Sequence, residues 1–288
     1  MFSKLYLQNK LNISMSNKKS AFIIACLLLL TSCSKNYIQI IQTNSIYQKN
    51  QDGEWVFEND TVKLTYNFWN EKGIMSFSVY NKLNVPIYID WKNSSFIYNG
   101  NKLNYWVDKE ETKSVGTYAG FAYKGPLIKP GYAYSEGIQS TSSTTTKPER
   151  VTFIPPKSNY YRSQFYLLPV QSFKMDSKKM VKNTQQRNDN TQKKTDVYEL
   201  NYNFDESPLK FRNYISIAMA ENATNFSYID NEFYLQSVKE MDYRHYRGTV
   251  VSNNNGVKEY SKPYKNKTSF YIKIPTENSQ AYKNSSFK

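Results

Sequence analysis

The feature that most constrains the fold of this chain is an alternation of apolar and polar residues with a period of two. The alternation covers residues 62–68, 75–79, 87–91, 198–204 and 270–274. A β-strand has this pattern when one face packs on a core and the other faces water, as in antiparallel sheets. The sequence therefore predicts an all-β, antiparallel protein, with no helix beyond an amino-terminal signal segment.

Turn signals predict hairpins between these strands. Residues 70–73 end in a glycine, and Asn99-Gly100 is a strong signal for a tight two-residue turn. Short strands at near-regular spacing favour a β-sandwich, which we expect to be immunoglobulin-like in its layer arrangement. No Cys-Trp-Cys core is available for it, so the likeness would be one of architecture.

The predicted β-sandwich, as one domain or two smaller ones, covers residues 37–275. Within it, residues 174–196 are polar and rich in Lys, Gln and Asn, which indicates a loop or linker. We expect the strands before and after this segment to pack together, because the second part has few strands of its own. Residues 276–288 are predicted to form a polar tail.

The amino terminus has the parts of a secretion signal. Residues 18–19 are lysines, residues 21–30 form an unbroken apolar run, and Leu30-Thr31-Ser32-Cys33 follows at once. A helix of ten residues is roughly 15 Å long, whereas a bilayer core takes about 20 residues. We therefore predict a cleaved signal helix at residues 1–32, not a segment that remains across the membrane.

The four residues Leu30-Thr31-Ser32-Cys33 resemble the lipobox of bacterial lipoproteins, which a lipid-transfer enzyme and signal peptidase II recognise. The resemblance implies cleavage between Ser32 and Cys33 and attachment of a diacylglycerol to the Cys33 thiol. Residues 33–36 would then form the anchored segment, and several acyl chains give stable anchoring. An ordinary secreted protein with a chance cysteine is the alternative, and Met15 is an alternative start that gives a signal of ordinary length.

The residues after the cysteine bear on location. Ser34-Lys35-Asn36-Tyr37 has no aspartate next to Cys33, and in lipoproteins of this type that pattern implies sorting to the outer membrane. The segment also lacks the acidic cluster that marks surface export in some groups. The resemblance thus implies the cell envelope, with the periplasmic face of the outer membrane expected ahead of the cell surface.

A wider resemblance is to small uncharacterised lipoproteins of the Bacteroides group. It rests on residues 66–100, on VTFIPPKS at 151–158 and on SPLKFRNYISIAM at 207–219. It implies a β-rich fold and an envelope location. It carries no activity, so no functional residue transfers through it except the anchor cysteine.

The scarcity of cysteine and histidine excludes several chemistries. Signal cleavage removes Cys26, lipidation consumes Cys33, and His245 is the only histidine. A thiolate metal site, a multi-histidine metal site and a Cys-His nucleophilic pair are therefore excluded. No GxSxG, HExxH, EF-hand, P-loop or GxGxxG motif is present. We expect no cofactor, no metal and no enzymatic activity.

Charge and tyrosine content bear on partners. The chain has 38 Lys and Arg residues against 24 Asp and Glu residues. A basic excess favours anionic partners, although an AT-rich genome also produces Lys-rich chains. The 26 tyrosines suit strand faces first and sugar stacking second. We expect the partners to be the membrane, through the anchor, and a polysaccharide or an envelope protein; nucleic acid is in the wrong compartment.

Two acidic clusters are candidates for carboxylate catalysis. Asp108, Glu110 and Glu111 form one cluster, and Asp205-Glu206 forms the other. A glycoside hydrolase needs two carboxylates on either side of the bond that it cleaves. The sequence does not bring the clusters together, and exposed turn acids are the ordinary interpretation.

The densest aromatic and basic cluster is Tyr243-Arg244-His245-Tyr246-Arg247-Gly248. On a strand, Tyr243, His245 and Arg247 would share one face. Arginine and tyrosine there could bind a phosphate or an acidic sugar, whereas a solvated strand end before a glycine turn is the simpler interpretation. The candidate binding residues are Tyr243, Arg244, His245 and Arg247.

Together these features favour a lipid-anchored, non-enzymatic lipoprotein of the cell envelope that acts as a binding or structural module. The sequence does not identify its ligand. Two alternatives stay open: a glycan-processing enzyme that uses Asp and Glu carboxylates, and a surface adhesin or fibre component whose strand edges join partner chains.

Overall fold

The structure is a computed structural model that describes residues 36–107, 111–112, 145–146, 149–279 and 283. The signal segment, Ser32 and Cys33 lie outside these residues. In the described part nearly every regular element is a β-strand, and every pair of strands is antiparallel. The all-β, antiparallel prediction is confirmed, and the immunoglobulin-like layer arrangement stays a prediction.

The elements have the following bounds. The strands are β1 (Tyr37–Asn44), β2 (Gln48–Lys49), β3 (Trp55–Glu58), β4 (Val62–Tyr66), β5 (Ile74–Asn81), β6 (Ile87–Asp90), β7 (Ser95–Tyr98), β8 (Asn101–Asn104), β9 (Glu111–Thr112), β10 (Thr145–Thr146), β11 (Val151–Ile154), β12 (Asn159–Tyr166), β13 (Val181–Gln186), β14 (Lys194–Asn201), β15 (Lys210–Ala218), β16 (Ser227–Asp242), β17 (Val250–Asn254), β18 (Val257–Tyr260) and β19 (Ser269–Ile274). The helical elements are α1 (Tyr243–Arg247) and a 3₁₀ turn at Thr276–Asn278.

The strands form two large sheets. The long sheet has ten strands, with β11-β6-β15-β16-β1-β19 as its main path; β14 joins it at β16, β13 joins β14, β7 joins β15, and β8 joins β7. The short sheet has the order β12-β5-β4-β3-β2, and β9–β10 and β17–β18 are separate pairs. Because strands from both sides of residues 174–196 share the long sheet, the two parts of the chain do pack together.

Strand β16 organises the long sheet, because its 16 residues pair with three other strands. Its first half pairs with β15 and its second half with β14, while β1 runs along its opposite edge. In the β15–β16 ladder, Ser216 lies opposite Tyr228 and Tyr214 lies opposite Asp230. Directly opposed residues point to the same face of a sheet, so this register decides which side chains share a surface.

One core lies between the long and the short sheet. The ring of Phe233 on β16 is 4.9 Å from that of Tyr66 on β4 and 5.1 Å from that of Phe68, measured between centroids. The apolar members of the predicted alternations are buried in this core, and they include Val62, Leu64, Met75, Phe77, Val79, Ile87, Ile89, Leu200, Phe270 and Ile272. The exceptions lie beyond the end of β14, where Tyr202 is half-buried and Phe204 is 40% exposed.

Both predicted turns are present. Asn99 and Gly100 join β7 to β8 with φ values of 45° and 81°, the positive values that a two-residue hairpin turn of this type requires. Gly73 lies just before β5 with φ 66°, and its N–H donates to the carbonyl of Asn70 at 3.2 Å. The β4–β5 connection therefore closes where the sequence predicts a hairpin.

Residues 174–196 differ from the loop or linker that the sequence predicts. They contain β13, which pairs with β14 from Val181 opposite Glu199 to Gln186 opposite Lys194. All six residues of β13 are exposed. A strand exposed on both faces has no apolar period, so nothing in its sequence distinguishes it from a polar loop.

A second, smaller core lies on the outer face of the long sheet, the face that points away from the short sheet. Its buried members are Ile38, Ile40, Val197, Met241 and Tyr246. Four of these come from β1, β14 and β16, and Tyr246 comes from α1. Helix α1 therefore covers the outer face where β1 and β14 meet β16.

Candidate functional site

The cluster at residues 243–248 is helical, so the predicted strand was wrong. Asp242 caps α1 by accepting the backbone N–H of Arg244 at 2.7 Å, and Gly248 ends the helix with φ 74°. A chain reversal with positive φ favours glycine. Aspartate before a turn and glycine after it were both visible in the sequence, but a five-residue helix is too short to show an apolar stripe.

The helix buries His245, which a strand would have placed on one face with Tyr243 and Arg247. His245 and Tyr246 are buried, and Tyr243 and Arg247 are half-buried. Arg247 packs its guanidinium over the ring of Tyr260 at 4.0 Å. Of the four candidate binding residues, only Arg244 is exposed, so this cluster does not form an open binding surface.

His245 instead connects three segments of the chain. The backbone N–H of Asn188, in the β13–β14 turn, donates to Nδ1 of His245 at 3.2 Å. Because that donor cannot share an atom that already carries a proton, the neutral imidazole carries its proton on Nε2. Nε2 then donates to the phenolic oxygen of Tyr264 at 2.6 Å. Burial lowers the pKa of His245; nearby Asp242 and Asp189 oppose this shift and Arg187 adds to it.

The acidic clusters do not form a described catalytic site. Asp108 and Glu110 lie outside the described residues, and so does the side chain of Glu111. Asp205 and Glu206 are exposed in the turn that follows β14. Among the residues that the structure describes, no group of three His, Cys, Asp or Glu side chains is placed to hold a metal ion.

Two exposed aromatic side chains lie on the outer face of the long sheet, away from α1. Tyr228 on β16 and Phe153 on β11 are 54% and 52% exposed. Tyr214 on β15 and Tyr88 on β6 are half-buried beside them. We call these four residues the aromatic face.

The register places the four rings on one face of the sheet as two pairs. Phe153 lies opposite Tyr88, and Tyr88 lies opposite Ala218 on β15. Tyr228 faces Ser216 across the β15–β16 ladder, so small residues separate the two aromatic pairs. The rings of Tyr214 and Tyr228 are stacked, with centroids 5.3 Å apart and planes at 24°. Tyr88 and Phe153 meet edge to face, with centroids 5.5 Å apart.

A charged groove continues from the aromatic face along β15 and β16. Nε of Arg212 donates to Oδ1 of Asp230 at 2.9 Å, and a second guanidinium nitrogen pairs with Oδ2. This hydrogen-bonded pairing raises the pKa of Arg212. Glu232 lies opposite Arg212 on the same face, and Lys210 follows two residues away. We call the side chains of Lys210, Arg212, Asp230 and Glu232 the charged groove.

The groove is concave as well as charged. Lys210, Arg212 and Glu232 line a cavity of about 500 Å³, together with Ile97 and the β7–β8 turn at Asn99-Gly100. That volume is in the range of small-molecule sites in proteins.

A second cleft opens at the end of the aromatic face. It has a volume of about 530 Å³ and lies between residues 59–62 of the short sheet and the loop that joins β15 to β16. Phe226 and Tyr228 line it, and their ring centroids are 6.4 Å apart. Tyr228 therefore borders both the open face of the sheet and this second cleft.

Sequence reasoning missed this site. Tyr214 falls within the stretch at 207–219 that resembles other lipoproteins, and Phe153 falls within the one at 151–158. Neither residue was a candidate for binding in the sequence analysis. No sequence signal identifies them, because Phe153 is recognised as outward-facing only once its neighbours Thr152 and Ile154 are known to be buried.

Comparisons with known proteins add no relative: no protein-family model, no curated protein and no solved structure matches this chain. In the described part of the chain no helix has both the length and the apolar character needed to cross a membrane.

Proposed function

We propose that this protein is a lipid-anchored, non-enzymatic binding module of the bacterial cell envelope. In this proposal Cys33 carries the lipid after cleavage at Ser32–Cys33, and the β-rich domain holds the ligand. The two packed sheets would be a β-sandwich with an immunoglobulin-like layer arrangement. The domain would face the periplasm from the outer membrane.

The observation that carries the binding role is the difference between the two halves of the outer face. Where β1 and β14 lie, apolar residues are covered by α1 and form the second core. The other half is formed by β6, β11, β15 and the first half of β16. There Tyr228 and Phe153 keep more than half of their surface exposed. Exposed apolar surface that is rimmed by polar residues marks interaction sites, and a tyrosine ring offers such a surface both an apolar face and a polar tip.

The strand that follows the proposed anchor is not part of the proposed binding surface. Only residues 34–36 lie between Cys33 and the start of β1 at Tyr37. The aromatic face is built by β6, β11, β15 and the first half of β16, and β1 pairs with the second half of β16. The strand nearest in sequence to the anchor therefore does not contribute to the ligand surface.

Two measurements test the proposal. Metabolic labelling with a fatty acid should label the wild-type protein and leave Cys33→Ala unlabelled and unprocessed. Sedimentation with isolated envelopes of the source bacterium should show binding that Tyr228→Ala and Arg212→Ala each weaken. Tyr161→Ala is the matched control, because Tyr161 is 75% exposed on β12 of the short sheet. Equal binding by all four proteins would refute the assignment of the ligand surface.

A further inference from the structure

We infer that the aromatic face and the charged groove bind a neutral polysaccharide, with Tyr228 as the main stacking platform. This inference rests on the proposed binding role and names the class of ligand. It is carried by the geometry of the rings, by the balance of charge around them and by the length of the surface.

The rings are arranged to receive a flat apolar surface. Tyr214 supports Tyr228 by stacking on it at 24° between planes, which limits the freedom of the exposed ring. A supported ring loses little conformational entropy when a ligand stacks on it. A pyranose ring presents C–H groups on its face and hydroxyls at its edge, so it gains most from an aromatic ring that lies beside hydrogen-bonding side chains.

Those hydrogen-bonding side chains are present along the same strands. Tyr214, which stacks on Tyr228, lies opposite Asp230 in the ladder, and Arg212 and Glu232 follow as the next opposed pair. Guanidinium groups supply donors and carboxylates supply acceptors in fixed directions. A sugar hydroxyl is both donor and acceptor, so it can bridge the two kinds of group.

The charge of the groove gives an acidic polymer no electrostatic advantage. Lys210 and Arg212 are matched by Asp230 and Glu232, so the groove has no net charge, although the whole chain carries +14. An acidic sugar stacked on Tyr228 would lie near Asp230, whose carboxylate is already paired with Arg212, so no unpaired cation there would attract it. The basic excess of the sequence therefore lies elsewhere, and the preference for anionic partners that it favours does not apply to this surface.

The surface is long enough for more than one sugar. On β16, Tyr228 and Glu232 are four residues apart, which corresponds to about 13 Å along a strand. The aromatic row crosses from β16 through β15 and β6 to β11, three strand spacings of about 4.8 Å each. A chain of sugars could follow either direction from Tyr228, which favours a polymer over a single sugar.

The test is calorimetric titration of the full-length protein, purified in detergent, with defined glycans. Dextran, a β-1,3-glucan and xyloglucan are the neutral probes, the neutral glycan fraction of the source bacterium's own envelope is the fourth, and polygalacturonate is the acidic counterpart. We expect at least one neutral glycan to bind with an affinity that changes little with salt. Binding by the envelope fraction alone would identify an endogenous source, and binding by the other probes an external one.

Variants connect that binding to the face. Tyr228→Ala should weaken it about tenfold, because a lost stacking contact costs on the order of 1.4 kcal/mol. Tyr228→Phe should retain it, since the ring remains, and Tyr161→Ala should leave it unchanged. Salt-sensitive binding of polygalacturonate that survives Tyr228→Ala would overturn the inference.

The failure of the inference can be separated from that of the proposed function. If no neutral glycan binds but Tyr228→Ala still weakens sedimentation with envelopes, the ligand is a protein or another envelope component. The binding module then stands and the glycan does not. If Tyr228→Ala changes neither measurement, the glycan inference and the assignment of the ligand surface to the outer face are both wrong.

Discussion

The imidazole of His245 donates from Nε2 to the phenolic oxygen of Tyr264 at 2.6 Å, while its Nδ1 accepts the backbone N–H of Asn188 at 3.2 Å. The second of these bonds can form only with a neutral ring. The carbonyl of His245 also accepts from the side-chain amide of Asn188 at 3.3 Å. Protonation of His245 would therefore put an N–H on Nδ1. That N–H would face the backbone N–H of Asn188, the donor that holds the β13–β14 turn to α1.

The first prediction concerns pH. Burial holds the pKa of His245 below the value of about 6.5 for a free histidine. Between the two pKa values the unfolded chain binds more protons than the folded one, so the free energy of unfolding falls as the pH falls. The stabilisation is complete above about pH 6.5 and is lost as the pH drops through the folded pKa. Denaturation with urea at a series of pH values should show this loss in the wild type.

The variant His245→Gln separates this effect from the titration of carboxylates. It should be less stable than the wild type at pH 7, and the difference should shrink as the pH falls. Because His245 is the only histidine, its carbon-bound ring protons give an unambiguous NMR titration of the native state. A native pKa at or above the free value would contradict the prediction.

A second prediction concerns the polar group at the centre of the main core. The hydroxyl of buried Tyr66 accepts from Nδ2 of Asn213 at 3.1 Å and from Nδ2 of Asn231 at 2.8 Å. Tyr66→Phe removes the acceptor and leaves two buried amides without it. We expect a loss of about 1–3 kcal/mol of unfolding free energy, measured by urea denaturation. Tyr161→Phe, at an exposed position, is the control, and equal stability of the two variants would contradict the account.

A third prediction concerns location. Lys178 and Lys179 are exposed in the turn before β13, so a protease that reaches the folded domain has sites to cleave. If the domain faces the periplasm, trypsin added to intact cells should leave it whole, and trypsin added after the outer membrane is permeabilised should cleave it. A periplasmic marker serves as control. Cleavage in intact cells would place the domain on the surface.

The sequence predicted the strands of the main core well for a physical reason. Val62, Leu64 and Tyr66 each lie between polar neighbours, because β4 has one face in the core and one toward water. The Asn99-Gly100 turn was equally predictable, since only a few residue types adopt positive φ at both positions. In these cases the information is local to a few residues.

The elements that the sequence did not predict depend on contacts between distant residues. Helix α1 forms where Asp242 caps it and Tyr246 packs against Ile38 and Ile40 of β1. Its five residues, Tyr-Arg-His-Tyr-Arg, contain no apolar stripe that would show a helix. The same reason applies to the candidate site, because Tyr88 and Phe153 become neighbours only through the β6–β11 ladder. No pattern within either segment shows which other strand it will join.

The last prediction uses two glycines with positive φ to separate backbone strain from packing. Gly73 has φ 66°, and a Cβ there would lie 2.7 Å from Cγ of Phe270; Gly100 has φ 81° and has no atom within 4 Å of such a Cβ. In both variants the alanine has to adopt a left-handed conformation, which costs about 1–2 kcal/mol of unfolding free energy. Gly73→Ala must also displace a buried ring, which adds about 1–3 kcal/mol. Urea denaturation should therefore show a larger loss of unfolding free energy for Gly73→Ala than for Gly100→Ala. Equal losses would mean that the β4–β5 turn moves away from Phe270 at no cost, and that this contact does not fix the approach of the short sheet to β19.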